Sequence, residues 1–308
     1  MNNLWRRRRY IFGSGVGGDF AGGGGTPVIP LSFSNSFWTM AGAGQATSSF
    51  AITSSASGIP VGIPSASMSI SFWMFMSGIA PNTVDSAQTG LFLGARNSGA
   101  GAGSRQNSFW FQPRPGNGLT LEWGITDNPD LIATCGRMPS PEVYRWHHFL
   151  LVFDGSGSAN NDRCKVFLNG QASSSITSFV GTIPNTILTS SQVFHLGTQD
   201  NQSTNGSSLV INNIGIYNLA LTSSHASAMF GGGSPVDLRT ITGSEGLMHY
   251  WSNFPVSSST AILTDLITNV PGVTPMDLEG RSNRPNYFTS SGIPVQGAQN
   301  GSAFNPWA

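Results

Sequence analysis

The chain has 308 residues, enough for one sandwich of roughly 200 residues plus extensions, and its 14 basic and 14 acidic residues cancel to zero net charge. Charged residues make up only 9%, against about 25% in an ordinary soluble domain, and Gly numbers 39. This excludes a strongly basic nucleic-acid-binding body and leaves solubility to hydroxyls and amides, a surface that suits a subunit packed against many neighbours.

The N-terminus concentrates positive charge. Arg6, Arg7, Arg8 and Arg9 leave ten basic residues against 14 acidic ones in the remainder. Such an arm either docks on an acidic neighbour or is a solvated tip, and it is shorter than the roughly five to eight basic residues of a nucleic-acid patch. Behind it only Tyr10, Ile11 and Phe12 are apolar, so the apolar core of an export signal, roughly 7–15 residues, is missing. Synthesis in a reducing cytoplasm is expected, with Cys135 and Cys164 as buried thiols. No apolar run approaches the roughly 18 residues of a membrane span. The glycines of residues 13–26 then make a tether, and residues 1–27 are read together as a flexible arm.

From Val28 onward short β-branched and aromatic segments alternate with turn clusters, as in an antiparallel sandwich or jelly roll. Ser67 to Met76 alternates with period two, Met68, Ile70, Phe72, Met74 and Met76 on one face and Ser67, Ser69, Ser71, Trp73 and Phe75 on the other. Further strands are expected at Gly90–Gly94, Ser108–Gln112, Leu119–Ile125, His147–Phe153, Cys164–Asn169, Val193–Gly197 and Leu209–Tyr217. Ser223–Phe230 reads as a short helix capped by Ser223 or Ser224 and ended by Gly231-Gly232-Gly233. Residues 28–232 form the expected sandwich. Residues 233–308 form a C-terminal extension, with a patterned block at 247–278 and an extended tail.

Two linked segments carry a family resemblance. Arg145-Trp146-His147-His148-Phe149-Leu150-Leu151-Val152-Phe153-Asp154-Gly155, followed by Lys165-Val166-Phe167-Leu168-Asn169-Gly170, resembles the central hairpin of laminin G-like domains. Ser69–Met76 is similar to the family's early strand, and Ile214–Thr222 to its closing strand and short helix. The resemblance implies an all-β, concanavalin A-like jelly-roll sandwich of two antiparallel sheets. Independently, Asn169-Gly170 suits a turn needing positive φ, and Trp146 suits a core anchor. Beyond the helix, Gly233-Ser234-Pro235-Val236-Asp237-Leu238, Gly246–Trp251 and Leu263–Leu266 resemble a continuation found in laminin G-like structural proteins of marine bacteriophages and other viruses.

The expected function is a non-enzymatic virion structural protein, a capsid decoration or outer-surface subunit. Its expected partners are other virion proteins and further copies of itself. Arg6–Arg9, Phe288, Phe304 and Trp307 would be its intersubunit anchors. The alternatives are a carbohydrate-binding module of a phage fibre or cell-surface protein, and a shell-forming capsid protein. A glycan would stack on Trp38, Trp110, Trp123 or Trp251, unless these are core residues. No catalytic group is expected: the chain has only Glu122, Glu142, Glu245 and Glu279, and Glu122 has no acidic neighbour within two positions. His147 and His148 should face opposite sides of one strand, and so cannot chelate one metal. Calcium at Asp200, Asn201 and Asn205 competes with a plain Asn/Asp turn, and the family's usual Asp-Glu is replaced by Asn212-Asn213.

Overall fold

A computed structural model describes residues 37–39, 51–54, 66–76, 89–93, 109–114, 120–128, 131–139, 146–172, 182–187, 194–198, 209–252, 262–271, 275 and 278–280. Its strands are β1 (Phe37–Thr39), β2 (Ala51–Ser54), β3 (Ser67–Met76), β4 (Thr89–Leu93), β5 (Phe109–Arg114), β6 (Thr120–Asn128), β7 (Leu131–Pro139) and β8 (Trp146–Asp154). A one-turn helix α1 (Asn160–Arg163) leads to β9 (Cys164–Leu168), β10 (Gln171–Ala172), β11 (Phe194–Thr198) and β12 (Leu209–Tyr217). Helix α2 (Ser223–Phe230), 3-10 turns at Leu238–Thr240 and Ser244–Gly246, and β13 (Leu247–Trp251), β14 (Ile262–Leu263) and β15 (Leu278–Gly280) complete it.

Two antiparallel sheets result. Sheet A runs β1-β12-β3-β8-β9-β10, with β13 also on β12; sheet B runs β14-β15-β2-β11-β4-β5-β6-β7. Phe111 of sheet B packs against Phe72 and Phe149 of sheet A, with ring centroids 5.0 and 5.4 Å away, and this aromatic wedge fixes the inner faces. All three rings are buried, together with Met68, Ile70, Met74, Leu151 and Phe153 around them.

Sheet A is buried on its outer face as well. Ser69, Ser71, Trp73, Leu150 and Val152, the opposite-parity residues of β3 and β8, are all 1% exposed or less. A second apolar cluster covers them, joining Leu150, Val152, Phe167 and Tyr217 to Ala226 and Met229 of α2 and to Leu238, Leu247 and Tyr250. The serines are polar because this face carries backbone of the β12–α2 connection. Ser67 and Ser69 hydroxyls donate to the carbonyls of Asn218 and Leu219 at 3.0 and 2.6 Å, and Leu221 N–H donates back to Ser69 Oγ.

The block expected at 247–278 supplies strands to both sheets. Leu247–Trp251 pairs with β12, and Leu278–Gly280 pairs with β2. Asp265 seals the free side of β13. Its carboxylate accepts the N–H groups of Tyr250 and Ile267, both at 3.0 Å, and lies 2.6 Å from His249 Nδ1, while Leu266 N–H donates to Tyr250 O. His249 and Asp265 are both fully buried.

Several expectations shift for physical reasons. The α2 cap is Thr222, one residue earlier than expected, and its N–H donates to His225 Nδ1. Strand β7 had no sequence signature, because a bulge at Cys135 breaks its alternation between the pairs Trp123–Gly136 and Gly124–Thr134. Strand β5 runs through Pro113, beyond its last pair with β4, Leu91–Phe111, and is paired there with β6 alone. Cys164 is a buried thiol. Residues 1–36 and 281–308, with Arg6–Arg9, Phe288, Phe304 and Trp307, lie outside the described residues.

Because Asp265 serves the buried Tyr250 N–H, the part-buried Ile267 N–H and a buried imidazole, Asp265→Ala is expected to cost about 3–5 kcal/mol in urea denaturation, and Asp265→Asn less. A loss below about 1 kcal/mol for the alanine variant would contradict the role given to the carboxylate.

Candidate functional site

The described helices pack on sheet A: α1 against β8 and β9, α2 against β8 and β10. The larger helix contacts among the described residues are thus all on sheet A, and sheet B is described by its register. The buried Phe111 fixes parity, and alternation assigns every position from it. Three cross-strand rows of β5, β6 and β7 belong to the core side: Phe109–Ile125–Ala133, Phe111–Trp123–Gly136 and Pro113–Leu121–Met138. The rows between them belong to the outer side: Trp110–Gly124–Thr134, Gln112–Glu122–Arg137 and Arg114–Thr120–Pro139. By register, apolar residues and glycine hold the core-side positions, and Gln112, Glu122, two arginines, two threonines and Trp110 are among those at the outer positions.

The Trp110 row continues across the sheet. Pairing runs from Trp110 to Phe92 on β4, His195 on β11, Thr53 on β2 and Glu279 on β15. Gly90, Gly197 and Ala51, the neighbouring outer positions on β4, β11 and β2, add almost no side chain beside it. Backbone register thus puts two aromatic residues on adjacent strands, with Gly90 and Gly124 at neighbouring positions.

The expected stacking residues separate accordingly. Trp251 is fully buried and stacked on His249 at 5.7 Å, so it is a core residue and not a glycan contact. Trp123 occupies the same row as Phe111 on the core side, Trp110 the outer row, and Trp38 pairs with Val210 at the edge of sheet A. Asp200, Asn201 and Asn205 lie outside the described residues. Among the described residues no three His, Cys, Asp or Glu side chains group to hold a metal, and no helix is long and apolar enough to cross a membrane.

Other polar residues singled out from the sequence serve the fold. Asn213 has φ 54° at a bulge in β12, accepts from Tyr250 Oη at 2.6 Å and donates to Val236 O at 2.9 Å, so Asn212-Asn213 sits in a buried bulge. Burial pushes the Tyr250 phenol up to about 12. Asn169, with φ 51°, accepts the His148 N–H at 3.0 Å and lies 3.1 Å from His147 Nδ1, closing the hairpin turn. His148 is fully buried, with Nε2 2.9 Å from Ser71 Oγ.

Most glycoside hydrolases use two carboxyl groups about 5–9.5 Å apart. On the outer face of sheet B, Glu122 and Glu279 are five strand spacings apart, about 24 Å. Glu245 belongs to the 3-10 turn beside β13, and Glu142 lies outside the described residues.

A sandwich with this hairpin and closing strand also matches at the level of sequence: residues 53–227 fit the profile of the concanavalin A-like lectin/glucanases superfamily. The chain belongs to that superfamily. Among solved structures, this superfamily member resembles a heptameric SAP-like pentraxin from Limulus polyphemus, at 12% identity and TM-score 0.45, over 65% of this chain and 83% of the pentraxin. It also resembles a putative carbohydrate binding protein from Bacteroides ovatus, at 12% identity and TM-score 0.49, over 84% of this chain and 62% of the other. A sialidase from Trypanosoma rangeli aligns over 53% of this chain and 22% of its own length, at 15% identity and TM-score 0.33. No curated protein sequence matches.

Burial lowers the pKa of His148 to about 3. The unfolded chain protonates this ring near pH 6.5, so its contribution to stability is full above that value and is lost as pH falls toward 3. Between pH 6.5 and 5 the parent should lose about 2 kcal/mol more than His148→Gln, read from urea midpoints. Equal pH slopes for the two proteins would contradict the assignment.

Proposed function

We propose that this chain is a non-enzymatic carbohydrate-binding sandwich whose working surface is the outer face of sheet B. The observation that carries the reading is the row in which Phe92, Trp110 and Gly124 pair directly, bordered by Gln112, Glu122 and Arg137. Sugar recognition of this kind combines aromatic stacking with planar hydrogen-bonding groups and requires no pKa tuning. The separation of Glu122 from Glu279 supports binding without hydrolysis.

The setting we propose is the surface of a virion, with this chain as a decoration or outer-surface subunit. A charge content of 9% favours dense packing beside other copies and other virion proteins, because few like charges hold such neighbours apart. Arg6–Arg9 and the segment holding Phe288, Phe304 and Trp307 would then be its attachments. A carbohydrate-binding surface and a place on a particle are compatible, since a virion surface meets host glycans first.

Trp110→Ala is expected to weaken glycan binding by about tenfold, equal to about 1.4 kcal/mol, while the melting temperature stays close to the parent's. Calorimetric titration of the full chain measures the first, and a thermal melt the second. Binding unaffected by the substitution would contradict the placement of the site.

A further inference from the structure

We propose that residues 262–267 form a latch with two positions. Clasped, it ties the end of sheet B to the edge of sheet A; released, it leaves both together and bares the free side of β13. The inference goes beyond carbohydrate binding and does not depend on it.

Backbone pairing sets the bridge. Ile262 and Leu263 pair with Glu279 and Leu278, and β15 pairs in turn with β2, so the segment begins on sheet B. Asp265 stands two positions after Leu263, and from there the chain is bound to β13 of sheet A. Tyr250 N–H donates to Asp265 Oδ1 at 3.0 Å, Leu266 N–H donates to Tyr250 O at 2.8 Å, and Ile267 N–H donates back to Asp265 Oδ1 at 3.0 Å. Two residues of chain span at most about 7 Å, so Asp265 stays within that distance of Leu263 wherever it goes. A strap that leaves β13 therefore pulls directly on β14.

The chemistry of the clasp makes it all or none. His249 and Asp265 are both 0% exposed, with Nδ1 2.6 Å from Oδ2. His249 Nε2 is buried and has no hydrogen-bond partner among the described residues, so the polar tie of this ring is the one to the strap. A half-opened clasp strands a carboxylate, an imidazole nitrogen and the Tyr250 N–H away from water, and buried groups left unpaired in this way are costly. Full release hydrates all three. Turning the Asp265 side chain alone does not achieve it, because Leu266 N–H still holds Tyr250 O. The two arrangements that satisfy every group are clasped and dry, or released and wet. Strand β13 keeps its own pairs with β12, from Tyr217–Leu247 to Ile214–Trp251, and Trp251 remains stacked on the His249 ring. Release thus bares one strand edge and leaves the rest of sheet A folded.

Native-state hydrogen exchange of the full chain, followed amide by amide in urea below the unfolding transition, tests the latch. The amides of Tyr250, Leu266, Ile267 and the paired residues of β14 and β15 are expected to share one opening step, at least about tenfold more frequent than the step that opens β3 and β8. Glu279→Pro, which breaks the pairing of β15, is the reciprocal arm: it should strip protection from Tyr250 and Ile267 while β3 and β8 keep a slow step. Separate opening steps for the clasp and for β14 and β15, or a Glu279→Pro variant that protects Tyr250 and Ile267 as well as the parent does, would overturn the coupling. Exchange of all these amides only together with β3 and β8 would overturn the latch as a unit of its own. The steps of the parent decide both points even where Glu279→Pro does not fold.

Discussion

Burial of sheet A on both faces is the constraint from which the remaining architecture follows. A half-buried sheet can end with its last strand, but one whose outer side carries Trp73, Leu150, Val152 and Tyr217 must be roofed. The roof comes from later in the chain, from α2, within which the superfamily match ends at residue 227, and from residues 236–250 beyond it. The serines of β3 are therefore no solvent-facing stripe. They are the fastening points where β12 turns into α2.

Roofing sheet A also decides where chemistry can take place. The described helices and turns are committed to that side, and the working face proposed for the chain is the outer side of sheet B. Its residues follow from this division. Core-side positions of β5, β6 and β7 are Phe, Leu, Ile, Trp, Met, Ala, Gly and Pro, whereas the outer rows hold Gln112, Glu122, two arginines and two threonines. The sheet's last strand, β7, carries Arg137, Pro139 and a bulge, features that discourage another strand from adding to it. That favours recognition through the face over recognition through the edge.

Much of the fold was legible in the sequence because β3, β12 and α2 are long and locally consistent, and all three have the expected bounds. The elements that escaped are those where local pattern carries little information. β1 and β2 have three and four residues, β7 is broken by its bulge, and β13 is buried at all five positions and shows no alternation. The site was half legible. Trp110 could be singled out as an aromatic in a strand, but its difference from Trp123 and Trp251 depends on register, which is set by the pairs Phe92–Trp110, Phe111–Trp123 and Ile214–Trp251. His195 and Glu279 could not be connected from sequence, since only the order β15-β2-β11 brings them to one row.

The central claim is that sheet B's outer face meets the glycan while sheet A's faces do not. Amide chemical-shift mapping of the full chain, titrated with the longest oligosaccharide that binds, tests this most directly. The account predicts shifts clustered on Thr53, Phe92, Trp110, Gln112, Glu122, Gly124 and His195, with β3 and β8 silent. Shifts confined to the loop between β8 and β9 or to the surface of α2, with those strands of sheet B unmoved, would contradict it.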